Sequence, residues 1–351
     1  MPAPVVTPEE KVRVPLAPHT TLRLGGPADR LVEARSAREV VEAVRAADGA
    51  GEPLLLLGGG SNVVVADEGV RGAALLVRTR GRRTERRDDG TVVLTAEAGA
   101  DWDELVAATV AEGLGGLECL SGIPGSTGAT PVQNVGAYGV EIADVLVDVD
   151  LYDRRTGAER TVAAADLGLG YRASVLKHRD DAVVLRVRFR LRVDGVSARI
   201  GYPELARTLG VAVGATVPVA AARAAVLGLR RGKGMVLDPA DHDTWSVGSF
   251  FTNPVVREGD VPGDTGPRWP AGPGRVKLSA AWLIENSGFR RGHRGPGGRV
   301  GLSGKHVLAL TNRGAGTTDE LLELARAVRD GVRSRFGVEL VPEPVLVGCA
   351  F

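Results

Sequence analysis

Two glycine-rich segments in the first 140 residues constrain the fold of this chain most strongly. The first, Gly58 to Asn62 (GGGSN), follows the aliphatic run Leu54–Leu57 directly, and the second begins at Ser121 as SGIPGSTGA. Because glycine has no Cβ, such loops let backbone amides approach a phosphate group closely. A GGG after a strand is more often a tight turn. Two such loops nevertheless suit the long pyrophosphate of a dinucleotide, so both interpretations stay open at this point.

The standard nucleotide-binding and hydrolase motifs are absent. No GxGxxG occurs, which argues against a Rossmann fingerprint. The pairs Gly232-Lys233 and Gly304-Lys305 lack the following Ser or Thr of a P-loop, and the serine at 249 is not part of a GxSxG elbow. The five histidines show no HxxxH spacing or carboxylate clustering, so we expect no metal site.

The composition predicts an ordinary globular chain of more than one part. Its 351 residues exceed the roughly 250–300 that one hydrophobic core serves, so two or three subdomains are expected.

The 44 basic and 43 acidic residues leave a net charge of +1, without the basic excess that nucleic-acid binding needs. The basic run Arg78 to Arg87 is therefore interpreted as a solvated hairpin or loop. No aliphatic run approaches the roughly 20 residues of a membrane span.

The compartment is predicted from the N-terminus and the cysteines. The first residues contain no continuous apolar stretch of the kind found in signal peptides. The two cysteines, Cys119 and Cys349, form no CxxC and no disulfide framework, which fits a reducing environment. We expect a cytoplasmic protein without nucleic-acid or membrane partners.

Hydrophobic periodicity and capping residues predict a mixed α+β chain. Ser36 and Asp101 are expected to cap the first two helices. Residues 1–18 are a Pro-rich lead-in, and residues 257–274 are expected to form an exposed Pro/Gly loop. The predicted helices cover residues 37–47, 101–112, 218–230, 277–286 and 318–336. The predicted strands cover residues 54–57, 63–65, 72–77, 92–96, 145–152 and 183–193.

Three further segments contain residues that could carry chemistry. Ser249, in GSFFTNP, is either a turn residue or a proton donor sheltered by two aromatic rings. Arg172, in GYRASVLK, is either part of a surface salt bridge or a guanidinium fork for a carboxylate. Glu343 lies between two prolines that fix an extended backbone, as an exposed edge residue or a rigidly held carboxylate.

Taken in order, six segments resemble the MurB family, the UDP-N-acetylenolpyruvoylglucosamine reductases. The resemblance runs from about Thr20 to Gly348 through GGGSN, SGIPGSTGATPVQNVGAYG, GYRASVLK, GSFFTNP, KLSAAWLIENSGF and VPEPVLVG. It implies an α+β flavoprotein of the vanillyl-alcohol-oxidase type. Residues 1–80 and 81–215 would be the two FAD-binding subdomains. Residues 216–351 would form the substrate-binding subdomain, with the last residues returning toward the active site.

The resemblance also implies an activity. NADPH would reduce a non-covalently bound FAD, which would then reduce the enolpyruvyl ether of a UDP-sugar to UDP-N-acetylmuramate for peptidoglycan synthesis. We expect a monomer acting on a small nucleotide-sugar. Two alternatives are another flavin oxidoreductase of the same fold and a non-catalytic nucleotide-sugar-binding protein. The glycine-rich loops contain no obvious His or Cys for covalent flavin attachment, which disfavours the oxidases that use such a link.

Individual roles follow from the same resemblance. Ser249 matches the proton donor, Arg172 the contact to the enolpyruvyl carboxylate, and Glu343 the late active-site glutamate. The proposed substrate contacts are Tyr202 (a lid-loop tyrosine found in one subclass), Lys233 and Asn253. The proposed FAD contacts are Gly58, Gly59, Gly60, Ser61, Asn62, Ser121, Ile123, Pro124, Gly125, Gly128, Asn134, Gly136, Ala137 and Tyr138. The chain departs from the family at Val341, where many members have a second glutamate, and residues 233–246 align loosely.

Overall fold

The computed structural model describes residues 9–261 and 263–351, so residues 1–8 of the predicted lead-in lie outside the described residues. The helices are α1 (Ala37–Ala50), α2 (Trp102–Ala111), α3 (Pro203–Leu209), α4 (Val219–Gly232), α5 (Ala280–Glu285) and α6 (Thr318–Phe336). The strands of the first half are β1 (Glu9–Pro15), β2 (Pro27–Ala34), β3 (Leu54–Leu57), β4 (Val63–Val65), β5 (Val70–Val77), β6 (Arg82–Arg86), β7 (Thr91–Glu97), β8 (Gly136–Ala137), β9 (Val140–Glu141), β10 (Leu146–Asp153) and β11 (Ala158–Ala163). Those of the second half are β12 (Ala182–Arg192), β13 (Val255–Arg257), β14 (Arg268–Pro270), β15 (Arg275–Leu278), β16 (Val300–Leu302), β17 (Leu310–Asn312) and β18 (Val345–Val347).

The packing of the chain divides it into two units. Unit 1 comprises residues 9–14, Ala28–Gly59 and Arg71–Arg231. Unit 2 comprises Pro15–Pro27, Gly60–Val70 and Gly232–Phe351. The chain passes from unit 1 to unit 2 inside the first glycine run, between Gly59 and Gly60. The predicted three-part division at residues 80 and 215 stays a prediction.

Unit 1 is built on two larger sheets, beside the short β8–β9 pair. The larger is antiparallel, in the order β11-β10-β12-β7-β6, and the smaller has the order β1-β2-β5-β3 with β3 and β5 parallel. Strand β12 alternates along its length, so that its apolar side chains are buried and its arginines face outward. Helix α2 packs on the apolar side, where the Trp102 and Phe189 rings meet edge to face at 5.7 Å between centroids. Asp101 caps this helix as expected, accepting from the Glu104 N–H at 2.9 Å.

Unit 2 has its core around α6 and three small sheets. One side of α6 is buried along its whole length, as the 3.6-residue pattern of its apolar residues predicts. Thr317 and Glu320 form a reciprocal capping box at its start. The C-terminal strand β18 pairs in parallel with β4, so the end of the chain returns beside Asn62.

Two of the predicted elements were wrong in part. The helix predicted from residue 277 begins only at Ala280, because Lys277 and Leu278 are hydrogen-bonded into a strand and Ser279 caps the helix instead. The segment 257–274 is not a simple loop, since β14 lies within it and pairs with β15, which also pairs with β13. The other predicted helices and strands are confirmed, with ends that differ by a few residues.

Helices that could cross a membrane would have to be both long and apolar. None in residues 9–261 and 263–351 satisfies both conditions.

A buried carboxylate near α2 gives a stability test. Glu118 is fully buried, and its carboxylate accepts from the Gly116 N–H at 2.6 Å and the Ala198 N–H at 2.5 Å. We expect Glu118→Ala to lower the free energy of unfolding by about 3 kcal/mol in urea, because two buried N–H groups lose their acceptor. Glu112→Ala removes only an exposed ion pair with Arg82 and should cost less than about 1 kcal/mol. Equal losses for the two variants would contradict this role of Glu118.

Candidate active site

The two glycine-rich loops lie against each other inside unit 1. A Cβ on Gly58 would lie 2.2 Å from Ser126 Oγ, and a Cβ on Gly59 would lie 2.5 Å from Gly125 Cα. Real Cβ atoms do not approach so closely, so Gly59 needs glycine for packing against main chain, whereas at Gly58 the Ser126 hydroxyl would have to turn away. The contact brings together the loops that the sequence suggested for a pyrophosphate, with main chain against main chain. We call these two loops, Gly58 to Asn62 and Ser121 to Ala129, the cradle. An arrangement of this kind fits a dinucleotide cofactor.

Arg78 is attached to the first of these loops. Its Nη1 donates to the Gly58 carbonyl at 2.7 Å, and burial lowers the pKa of its guanidinium. The interpretation of residues 78–87 as a solvated run was therefore wrong for Arg78. The order of the strands in the sequence contains a signal for this contact, because Arg78 directly follows β5 and Gly58 directly follows β3. The ends of these parallel strands share an edge, with Leu57 opposite Leu76.

The rest of the first loop belongs to unit 2. Gly60 has φ +63°, and a Cβ there would lie 2.0 Å from the His19 carbonyl oxygen. The Gly60 carbonyl accepts from the Thr21 N–H at 3.0 Å. Ser61 follows it, and the carbonyl of Asn62 accepts from the Val345 N–H at 3.0 Å, which ties this loop to β18.

The second loop is positioned from two helices of unit 1. Asp103 of α2 accepts from the Gly122 N–H at 2.6 Å, and Arg223 of α4 binds the same carboxylate through both Nη atoms, at 2.6 and 3.0 Å. Burial opposes ionisation of Asp103, but these hydrogen bonds outweigh it and hold its pKa below the ordinary value. Ser121 is fully buried, and its hydroxyl donates to the Glu118 carbonyl. It therefore fixes the start of the loop to the preceding turn.

The remaining predicted contacts of this loop differ in exposure. Ile123, Pro124 and Gly125 are half-buried. Gly128 is buried, and a Cβ there would lie 2.5 Å from the Ala98 Cβ. Gly128 therefore serves the packing of the loop against the sheet.

Unit 1 also gathers Arg172 with the residues of the GAYG segment. Arg172 has φ +52°, and its Nη2 donates to the Gly136 carbonyl at 3.0 Å. Gly136 and Ala137 form the short strand β8. Tyr138 is buried and meets the ring of Tyr202 edge to face at 5.4 Å between centroids. Tyr202 is 40% exposed and immediately precedes α3.

Unit 2 brings Ser249 and Glu343 onto neighbouring backbone segments. The Glu343 N–H donates to the Phe250 carbonyl at 2.8 Å, and the Phe250 N–H donates to the Leu308 carbonyl at 2.8 Å. Both aromatic rings that follow Ser249 are buried in the core of unit 2. The backbone that carries the serine is therefore fixed on both sides, and the flanking prolines do the same for Glu343.

The two other predicted substrate contacts, Asn253 and Lys233, lie in unit 2. The side-chain oxygen Oδ1 of Asn253 accepts from the Ala280 N–H at 3.0 Å, so it is used at the start of α5. Lys233 is half-buried and precedes Gly234, whose φ of +65° turns the chain after α4.

Comparison with known proteins identifies the family. The family model for the C-terminal domain of UDP-N-acetylenolpyruvoylglucosamine reductase matches residues 238–347, and a model for an FAD-binding domain matches residues 28–163. A UDP-N-acetylenolpyruvoylglucosamine reductase of Saccharopolyspora erythraea is 65% identical over 347 residues, which are 95% of each chain. This chain belongs to the UDP-N-acetylenolpyruvoylglucosamine reductase family.

Further relatives agree. The enzyme of the same name from Salinispora arenicola is 57% identical over 344 residues, 95% of each chain. The crystal structure of UDP-N-acetylenolpyruvylglucosamine reductase (MurB) from Thermus caldophilus superposes with a TM-score of 0.65 at 26% identity, covering 97% of this chain and 98% of that one. The predicted α+β fold of an FAD-binding flavoprotein is thereby confirmed, and the chain is an FAD-dependent oxidoreductase.

The contact between the glycine loops gives a test of the cradle. Gly59→Ala places a methyl group 2.5 Å from Gly125 Cα, so the loops must separate and FAD should bind at least about tenfold more weakly, or about 1.4 kcal/mol. The measurement is a fluorescence titration of the apoprotein with FAD. Gly49→Ala is the matched control, since a Cβ there meets nothing within 4 Å. An FAD dissociation constant within twofold of the wild type would exclude Gly59 from the cradle.

Arg78 gives a second, electrostatic test of the same cradle. Arg78→Met removes the bond to the Gly58 carbonyl and one positive charge beside the loop, and we expect roughly tenfold weaker FAD binding that becomes less sensitive to salt. Arg80→Met removes the same charge from an exposed position two residues away and should leave the affinity unchanged. If both variants bind FAD equally well, Arg78 does not contribute to the cradle.

Proposed function

We propose that this chain uses NADPH to reduce UDP-N-acetylenolpyruvoylglucosamine to UDP-N-acetylmuramate, a step of peptidoglycan precursor synthesis. The observation that carries the proposal is the 65% identity to a reductase of that name over almost the entire chain. The placement of Ser249 beside the backbone of Glu343 supports it, since a proton donor and a carboxylate are then held in one fixed arrangement.

The chemistry requires help at the carboxylate of the substrate. Bound FAD supplies a carrier that takes a hydride from NADPH and gives it to the methylene carbon of the enolpyruvyl group. Negative charge then develops on the adjacent carbon and spreads into the carboxylate, which is costly without a cation nearby. We assign this cation to Arg172, whose guanidinium is already oriented by the Gly136 carbonyl. Losing one such preorganised donor costs about 10²–10³-fold in other enzymes.

The developing carbanion must also receive a proton on one face. We assign this proton to the Ser249 hydroxyl, since the adjoining Phe250 and Phe251 are buried and would shelter the transfer from water. Serine is a weak acid, so the transfer is driven by the strong basicity of the carbanion. Glu343 would position or polarise the same carboxylate of the substrate, from a backbone tied to Phe250 and to Asn62 through Val345.

The remaining assignments concern the substrate and the state of the enzyme. Tyr202, Lys233 and Asn253 would contact the nucleotide-sugar, with the exposed ring of Tyr202 available for stacking. We further propose that the enzyme acts as a monomer in the cytoplasm. Sedimentation of the holoenzyme at micromolar concentration measures the first point, and a dimer mass would overturn it.

The proton donor can be tested by separating the two half-reactions. In Ser249→Ala, NADPH should reduce the flavin at the wild-type rate, whereas reoxidation by the enolpyruvyl substrate should slow by about 10²–10⁴-fold. Rapid mixing with detection of flavin absorbance measures both steps. Ser287→Ala is a control in the same unit, since that hydroxyl only donates to the Leu283 carbonyl. Equal slowing of both half-reactions in Ser249→Ala would show that the assignment is wrong.

The function as a whole is tested on the wild-type protein. The purified holoenzyme should show flavin absorption and should oxidise NADPH only when the enolpyruvyl substrate is present. Steady oxygen consumption with a simple alcohol would instead indicate an oxidase of the same fold. A colourless protein that binds the nucleotide-sugar would indicate a non-catalytic binding protein.

A further inference from the structure

Asn134 is one of the residues that the family resemblance assigned to the cofactor, and its surroundings indicate another role. It is only 1% exposed. Its amide nitrogen donates to Glu141 Oε2 at 2.7 Å and to the Gly170 carbonyl at 3.0 Å, and its amide oxygen accepts from the Ala143 N–H at 3.0 Å. A side-chain amide has two donor hydrogens. Both are used within the protein, so none is left for a ligand.

The Gly170 bond holds the base of the turn that carries Arg172. The Gly170 N–H donates to the Ala173 carbonyl at 3.0 Å, and the Ala173 N–H donates back to the Gly170 carbonyl at 3.1 Å. These two bonds close a tight turn with Arg172 at its tip. The carbonyl of Gly170 therefore receives one bond from the turn itself and one from Asn134.

The Glu141 bond holds the backbone on which the guanidinium of Arg172 rests. Glu141 belongs to β9 and pairs with Gly136 of β8. The Gly136 carbonyl accepts from Arg172 Nη2, and a Cβ on Gly136 would lie 2.8 Å from Glu141 Cγ and 3.5 Å from Arg172 Nη1. Asn134 thus connects the base of the turn to the strand pair that orients the charged end of the same side chain.

The conformation of Arg172 explains why such a connection is needed. Its φ of +52° lies in the left-handed region, which disfavours residues with a Cβ. Such a residue stays there only where its surroundings determine the conformation strongly. A second, independent bond acts on the same residue, because Lys177 Nζ donates to the Arg172 carbonyl at 2.9 Å.

We infer that Asn134 is a positioning residue that acts on the reaction through Arg172, by joining the 170–173 turn to the β8–β9 pair, and that it is not an FAD ligand. The inference rests on the proposed role of Arg172 at the substrate carboxylate. A misplacement of about 1 Å by a remote change can slow a reaction by about 10²-fold, so the effect of losing Asn134 should be selective and measurable.

The principal test uses the FAD-loaded Asn134→Ala enzyme. Reoxidation of the reduced flavin by the enolpyruvyl substrate should slow by about 10–100-fold. Flavin reduction by NADPH, the flavin spectrum and the FAD dissociation constant should stay within twofold of the wild type. Lys177→Met removes the independent bond to the Arg172 carbonyl and should slow reoxidation selectively in the same way, but by a smaller factor. This second variant keeps the test valid if Asn134→Ala folds poorly.

A matched control separates positioning from general destabilisation. Asn312 is a second buried asparagine, in unit 2, whose amide donates to the Leu22 and Arg23 carbonyls and accepts from the Gly314 and Gly316 N–H groups. Asn312→Ala should lower the melting temperature without slowing one half-reaction more than the other. In an Arg172→Ala background, Asn134→Ala should cause no further slowing, because its effect passes through the arginine.

A structural readout is independent of catalysis. Hydrogen exchange of the peptide covering residues 167–178 should speed up in Asn134→Ala and stay unchanged in Asn312→Ala. The inference is overturned by weaker FAD binding in Asn134→Ala, by equal effects on both half-reactions, or by additive slowing in the Arg172→Ala background. If the wild type fails to react with the enolpyruvyl substrate, the proposed function fails, whereas unchanged hydrogen exchange in Asn134→Ala would refute the connection itself.

Discussion

The two glycine-rich loops of unit 1 touch where a Cβ on Gly59 would collide with the backbone of Gly125, and the proposed FAD site depends on this contact. Gly58 faces Ser126, and Gly59 faces Gly125. Dense packing of main chain against main chain leaves little freedom for either loop, so each fixes the direction of the backbone amides of the other. Side chains alone could not give the same close approach to a pyrophosphate. The glycine run is therefore constrained by packing and, under the proposed role, by the cofactor as well.

Hydrogen-bonded carboxylates hold the second loop and the segment before it in place. Asp103 connects α2, the Gly122 N–H and Arg223 of α4, while Glu118 holds the N–H groups of Gly116 and Ala198. A carboxylate removed from water is costly unless its hydrogen-bonding capacity is filled, and several partners converge both on the half-buried Asp103 and on the fully buried Glu118. Such networks accept few alternative geometries. Helices α2 and α4 of unit 1 therefore position the second loop through Asp103.

Much of the fold was predictable because its signals are local. The apolar stripe of α6, its capping box and the capping residues Ser36 and Asp101 each involve neighbours within one helical turn, so the sequence contains them directly. The late start of α5 could not be seen in this way, since Lys277 is taken into a strand by pairing with distant residues.

The candidate site shows the same division between local and distant signals. The glycine loops, Arg172, Ser249 and Glu343 were singled out by composition and by the order of their motifs. The positions of Arg78 and Asn134 depend on partners 20 and 36 residues away along the chain, Gly58 and Gly170. The hydrophobic periodicity of the sequence does not reveal such contacts. The resemblance to known reductases indicated that Asn134 matters, but only its three hydrogen bonds show what it holds.

The arginines of this chain differ in the groups that accept their hydrogen bonds. On the outer face of β12, Arg188 lies between Asp148 and Asp150, and the hydrogen bonds to these carboxylates raise its pKa. Arg78 donates instead to the Gly58 carbonyl. A carbonyl orients a guanidinium through one hydrogen bond without adding the full negative charge of a carboxylate. A cation held in this way keeps its attraction for an anionic group, which is the property required beside a pyrophosphate.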